Sequence, residues 1–194
     1  MLSKYFIILL YTLFFCLSCK NKDNSYSGYD KLYLKKIFKS WQKEQIKMRN
    51  YLDAERCNLS YFTDNDLEVT KSLPTIGFPS DSLIKYHFSD INEDDILDAI
   101  VVYNIVSCDG AAALNNAQNE IVILSNDNKD YTITEGFFER IRDKIGYGNL
   151  YVDSIKNNLA YATYQEHLDD DPRCCPSYIR KVEIDMLKND YILK

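Results

Sequence analysis

The chain has 194 residues, a formal net charge of −6, and 46% hydrophobic against 27% charged residues. That is enough for one ordinary domain, too little for two, and too apolar for a disordered chain. The negative balance excludes nucleic acid as the main partner, because phosphate recognition needs an excess of Lys and Arg.

The first element stands apart from the rest. Lys4 is the one charge among residues 1–18, and the run 5–17 (YFIILLYTLFFCL) follows it. A bilayer span needs about 20 apolar residues, so this shorter run reads as a secretory signal peptide. It ends Cys16-Leu17-Ser18-Cys19. That end resembles the lipobox of bacterial lipoproteins, in which a small residue precedes the cysteine that becomes the lipidated first residue. The resemblance implies acylation of Cys19, and a multiply acylated residue holds a protein stably at a membrane. Lys20, in place of an Asp, points to the outer membrane or cell surface. The alternative is an ordinary cleaved leader with a chance cysteine.

Residues 19–29 (CKNKDNSYSGY) are polar and read as a tether to a single domain over 30–194. Residues 31–55 predict a helix. Leu34, Ile37, Phe38, Trp41, Met48 and Leu52 follow a 3.6-residue period, and Asp30 is placed as its N-cap. Lys31, Lys35, Lys36, Lys39, Lys43, Lys47 and Arg49 stand against Glu44 alone up to position 49. A basic helix near a lipid anchor suits anionic head groups. The plainer alternative, which the apolar stripe favours, is a solvated face over an acidic body.

Residues 58–82 read mostly as loop. Short β-rich runs follow at 83–88, 99–106, 120–125, 131–134, 151–155, 160–165, 178–184 and 191–193, with a short helical segment near 137–145. Turn residues such as Asn157-Asn158 separate them. The connections are too short for parallel crossovers. The expected class is α+β: an N-terminal helix packed on a largely antiparallel sheet.

The most specific motif is the loop 90–98, DINEDDILD. Asp90, Asn92, Asp94 and Asp98 fall at alternate or near-alternate positions. Ile96 offers a carbonyl, and calcium wants several hard oxygens around one ion. The pattern, followed by Ala99-Ile100-Val101-Val102, resembles the calcium loop of FG-GAP and VCBS-type repeats. The resemblance implies a structural calcium ion on those five residues. Asp95 replaces the usual Gly, so the turn requires left-handed geometry from an Asp, which tolerates it. The motif occurs once, so the propeller fold is not implied. The alternative is an acidic turn held by its own hydrogen bonds.

Four cysteines remain beyond the leader and Cys19. Cys57, Cys108, Cys174 and Cys175 are expected as disulfides outside the cytoplasm. Adjacent cysteines lie about 3.8 Å apart at Cα, closer than usual for a bridge. Two connectivities are therefore expected, each joining Cys57 and Cys108 separately to the 174–175 pair. Zinc and free thiols are the alternatives.

Asp169, Asp170 and Asp171 form a second acidic cluster, and Asp109 opens a small-residue loop. The cluster is a candidate surface for a cationic partner or a further metal ligand, with a solvated loop tip as the plainer alternative, and the Asp109 loop is a candidate ligand recess, with a plain wide turn as its alternative. His87 and His167 fall in no nucleophile or metal motif. The expectation is a non-catalytic, lipid-anchored envelope protein with a structural calcium ion. The alternative is an envelope inhibitor or immunity protein against a cationic hydrolase.

Overall fold

The computed structural model describes residues 27–57, 74–108, 118–126, 130–172 and 175–194. The first element, α1 (Gly28–Lys47), starts at a capping box. Ser27 accepts from the Asp30 amide while the Asp30 carboxylate accepts from the Ser27 amide. Asp30 is thus the third helical residue, not the cap, because Ser27 satisfies the orphan amide better from outside the helix. The helix ends well before residue 55. Met48 is its C-cap, and Arg49 turns left-handed at φ 62°. Leu52 leaves the helical stripe and forms a parallel bridge with Gly77.

Ten strands follow among the described residues: β1 (Ile76–Gly77), β2 (Lys85–Ser89), β3 (Asp98–Asn104), β4 (Val106–Ser107), β5 (Gln118–Ser125), β6 (Tyr131–Glu135), β7 (Asn149–Lys156), β8 (Leu159–Glu166), β9 (Tyr178–Asp185) and β10 (Asp190–Leu193). A short helix α2 (Glu139–Ile145) separates β6 from β7. The strands make two antiparallel four-stranded sheets, ordered β2-β3-β5-β6 and β10-β9-β8-β7, and the small pair β1-β4. The fold is α+β with the helix on an antiparallel sheet. The β portion is two sheets rather than one.

The first sheet is buried on both faces, which explains its unbroken apolar strands. Odd-numbered residues of β3 and β5 (Ala99, Val101, Tyr103, Ile121, Ile123) pack under Leu34 and Phe38 of α1. Even-numbered residues (Ile100, Val102, Val122) pack on Val152, Ala162, Tyr164, Val182 and Ile184 of the second sheet. Period-2 alternation therefore feeds two separate cores, and the layers run helix, sheet, sheet. Asn157 (φ 53°) and Asn189 (φ 52°) make the tight β7–β8 and β9–β10 turns in left-handed geometry.

Cys57 pairs with Cys108, with Cα atoms 4.6 Å apart. This corrects the expected connectivity. The cause is β1: it pairs with β4, and it also bridges Leu52, so the segment after α1 is delivered beside the end of β4. Cys175 is also disulfide-bonded. Cys174 lies outside the described residues.

Candidate functional site

The loop 90–98 joins β2 to β3 at one end of the doubly buried sheet. Its backbone closes on its own carboxylates. Asp90 Oδ1 accepts from the Asp94 amide at 3.0 Å and Oδ2 from the Asp95 amide at 3.0 Å. Asp94 Oδ1 accepts from the Ile96 amide at 2.8 Å. Such a tight turn needs left-handed residues, and Glu93 (φ 63°) and Asp95 (φ 66°) supply them. The expected geometry at Asp95 is present.

Asp98 is the anchor. It is fully buried at the first position of β3. Its Oδ2 accepts from the amides of Ile91 at 2.8 Å and Asn92 at 3.4 Å, and its Oδ1 accepts from the Ser125 amide at 2.7 Å. Burial pushes the carboxyl above the usual range, against the pull of the Ser125, Ile91 and Asn92 donors. Ser125, at the end of β5, is the residue the sequence reading missed. Its Oγ lies 2.8 Å from Asp98 Oδ1 and 2.7 Å from Asp94 Oδ2. Its carbonyl accepts from Asn92 Nδ2 at 2.9 Å, which also fixes the orientation of that amide. One hydroxyl proton therefore stands between two carboxylates and serves one at a time.

This geometry divides the predicted calcium ligands. A carboxylate has about four lone-pair sites. Three amides and the shared Ser125 hydroxyl surround those of Asp98, so Asp98 acts as a clamp for the loop. Asp90, Asn92 and Asp94 are half-buried at the loop surface and keep spare acceptor capacity. Together with the Ile96 carbonyl they are the oxygens that fit a hard cation. Among the described residues no three His, Cys, Asp or Glu side chains converge as a metal-holding group. Any ion here would therefore draw much of its shell from an amide, a carbonyl and water.

The other expected residues lie elsewhere. Asp169 and Asp170 are exposed on the connection between β8 and β9. Asp171 pins the base of that connection by accepting from the amides of Leu168 at 2.9 Å and Ser177 at 2.7 Å, which holds its carboxyl below the usual range. Cys19 and Asp109 lie outside the described residues. His87 is half-buried on β2, and its Nε2 has no partner. Burial and then Lys85 push its imidazole down, against Asp153. His167 is exposed.

Two further features have no counterpart in the sequence reading. Glu120 is a buried carboxylate that accepts from the Phe138 amide at 3.1 Å and from Arg142 at 3.3 Å, tying the first turn of α2 to β5. A cavity of about 470 Å³ opens at the far end of the first sheet, lined by Lys85, Tyr103, Asn104 and Gln118 among others. Among the described residues no helix is long and apolar enough to cross a membrane.

Compared with known protein families, curated proteins and solved structures, the chain matches none.

Proposed function

We propose that this chain is a lipid-anchored, non-catalytic protein of the bacterial envelope, held at the outer membrane or cell surface through Cys19. One observation carries the reading: a single Lys, a short apolar run and Ser18-Cys19 stand a few residues before a capped helix that opens a disulfide-bonded domain. Metabolic labelling with a fatty-acid analogue tests it. The wild type takes up label and Cys19→Ala does not; label retained in Cys19→Ala overturns the anchor.

The loop 90–98 is proposed as a weak structural calcium site on Asp90, Asn92, Asp94 and the Ile96 carbonyl. What supports it is the crowding of carboxylates at Ser125: its one hydroxyl proton faces Asp94 Oδ2 and Asp98 Oδ1, and the further donor to Asp94 Oδ2, Asn92 Nδ2 at 3.0 Å, is neutral. A bound cation would offset that repulsion and stabilise the native state by linkage. Calcium takes 6–8 oxygens, so the few protein ligands here suit the extracellular range, with Kd about 10⁻⁴–10⁻³ M. Thermal melting in calcium and in chelator decides: a Tm rise with calcium that Asp94→Ala abolishes is expected, and equal midpoints remove the site.

A second reading has its own observation. Exposed Asp169 and Asp170 project from a loop whose base Asp171 holds rigid. This arrangement suits inhibition of a cationic envelope hydrolase by electrostatic steering. Retention of a basic lysozyme at low salt, lost in Asp169→Ala/Asp170→Ala, is the expected result on that reading.

A further inference from the structure

The lysines of α1 fall into two sets. Lys31 and Lys35 lie over the rings of Phe88 and Tyr86, with Nζ 5.7 Å and 5.3 Å from the ring centres. Lys39 pairs with Asp81 and donates to Gln42 at 2.9 Å. This flank is committed to β2 and the turn before it. The other set is Lys36, Lys43 and Lys47, all exposed, in line with Leu32, which is 51% exposed. At roughly 100° per residue these four positions fall within about 60° of one another, and at ~1.5 Å per residue they span about 22 Å. The stripe points away from the buried residues Leu34 and Phe38. Its one acidic neighbour, Glu44, is an exposed partner of Lys47 at 3.6 Å, a pairing worth little at a surface.

We propose that this stripe docks on an anionic bilayer surface. The inference rests on the lipid anchor proposed above, since it names the leaflet holding Cys19 as the surface. Three observations support it. The charges are complementary, and each Lys near an anionic surface strengthens association about five-fold. The chain between Cys19 and Ser27 extends at most ~29 Å, so the helix start cannot leave the vicinity of an anchored Cys19. Among the described residues the exposed charges of the far sheet and its connections are mixed, Asp153, Asp169, Asp170 and Asp190 beside Lys156, Arg180, Lys181, Lys188 and Lys194, whereas the stripe on α1 is of one sign. An anionic surface therefore attracts the stripe more strongly than the far sheet, so the docked orientation is helix-down. The lysines over Phe88 and Tyr86 keep α1 fixed on its sheet in that pose.

Lysine acetylation rates read by mass spectrometry test the docking, using the full lipidated chain in vesicles. In phosphatidylglycerol-containing vesicles Lys36, Lys43 and Lys47 should label roughly five-fold or more slowly than in phosphatidylcholine vesicles. High salt should erase the difference. Lys188, in the β9–β10 turn of the far sheet, should label equally in both. In Lys36→Gln/Lys43→Gln, both exposed positions, Lys47 should lose its protection. Equal labelling of the three lysines on the two lipids overturns the proposal. Intact mass of the chain as expressed in bacteria separates the two readings: no acyl mass on Cys19 overturns the anchor and with it the docking, whereas acylation with equal labelling overturns the docking alone.

Discussion

At the scale of single residues the decisive side chain is Asp98. Asp98→Ala leaves the buried amides of Ile91 and Ser125 without an acceptor, at about 1–3 kcal/mol each. A loss of ~3–5 kcal/mol is expected from urea unfolding, whereas Asp90→Ala, whose donors sit at the loop surface, should cost about 1 kcal/mol. Comparable losses at the two positions would contradict the clamp. The regular oxygen spacing from Asp90 to Asp98 was legible in the sequence. The division of labour was not, because it depends on Ser125, which lies 27 residues from Asp98 and reaches it only through the register of β3 and β5. His87 supplies a residue-scale pH effect. Its imidazole is held down by burial and by Lys85, so the unfolded chain binds its proton first. Stability from this group is present above the unfolded value of about 6.5 and is lost as pH falls from there toward the folded value. The unfolding free-energy gap between wild type and His87→Gln should therefore move against the wild type between neutral and mildly acid pH. Asp98 and Glu120, whose carboxyls burial raises, act in the opposite sense, but they are common to both proteins and cancel in the difference. A gap that does not change with pH would show that His87 is not held neutral in the fold.

At the scale of elements, α1 and the β1–β4 pair were read unequally. The apolar stripe from Leu34 to Trp41 announced the helix, but its ends followed local chemistry: Ser27 captured the start and Arg49 turned the chain out. β1 is two residues long and lay within a stretch that reads as loop, because so short a strand has no alternation to display. Missing it meant missing the partner of Cys57. The same pair places a specific demand on Gly77. A Cβ there would lie 2.9 Å from Cys57 Cβ and Sγ and 3.0 Å from Cys108 Sγ. These are cystine atoms pinned by the bridge, so they cannot swing away as a free side chain would. Gly77→Ala is expected to destabilise by about 1–3 kcal/mol, the usual range for overpacking. It should also raise the fraction of chains with Cys57 and Cys108 unbridged, read by thiol alkylation after folding. A fully bridged, equally stable Gly77→Ala protein would show that the pair has room the geometry denies it.

At the scale of the whole molecule, the layer order decides which part each crosslink supports. The α+β class was legible because strand runs and a lone long helix are one-dimensional signals. The split into two sheets was not, because the unbroken apolar runs of β3 and β5 mark strands covered on both faces without saying what covers the second face. The Cys57–Cys108 bridge ties the segment after α1 to the end of the first sheet and closes a separation of 51 residues. In the chain-entropy model such a closure contributes about 4 kcal/mol. Its loss should not fall evenly on the layers. The helix–sheet core depends on the segment that the bridge holds, whereas the sheet–sheet core is built from β7, β8 and β9, which pair along seven- and eight-residue registers of their own. In Cys57→Ser/Cys108→Ser, with Cys175 left bonded, hydrogen exchange should therefore quicken first and most in α1, β1 and β4. The amides of β8 and β9 should keep protection closest to the global unfolding limit of the variant. Uniform acceleration across α1 and β8 would mean that the two cores unfold as one cooperative unit and that the bridge stabilises the molecule globally through its unfolded state. Selective loss at α1 would place a locally opening helix layer above a more persistent two-sheet body.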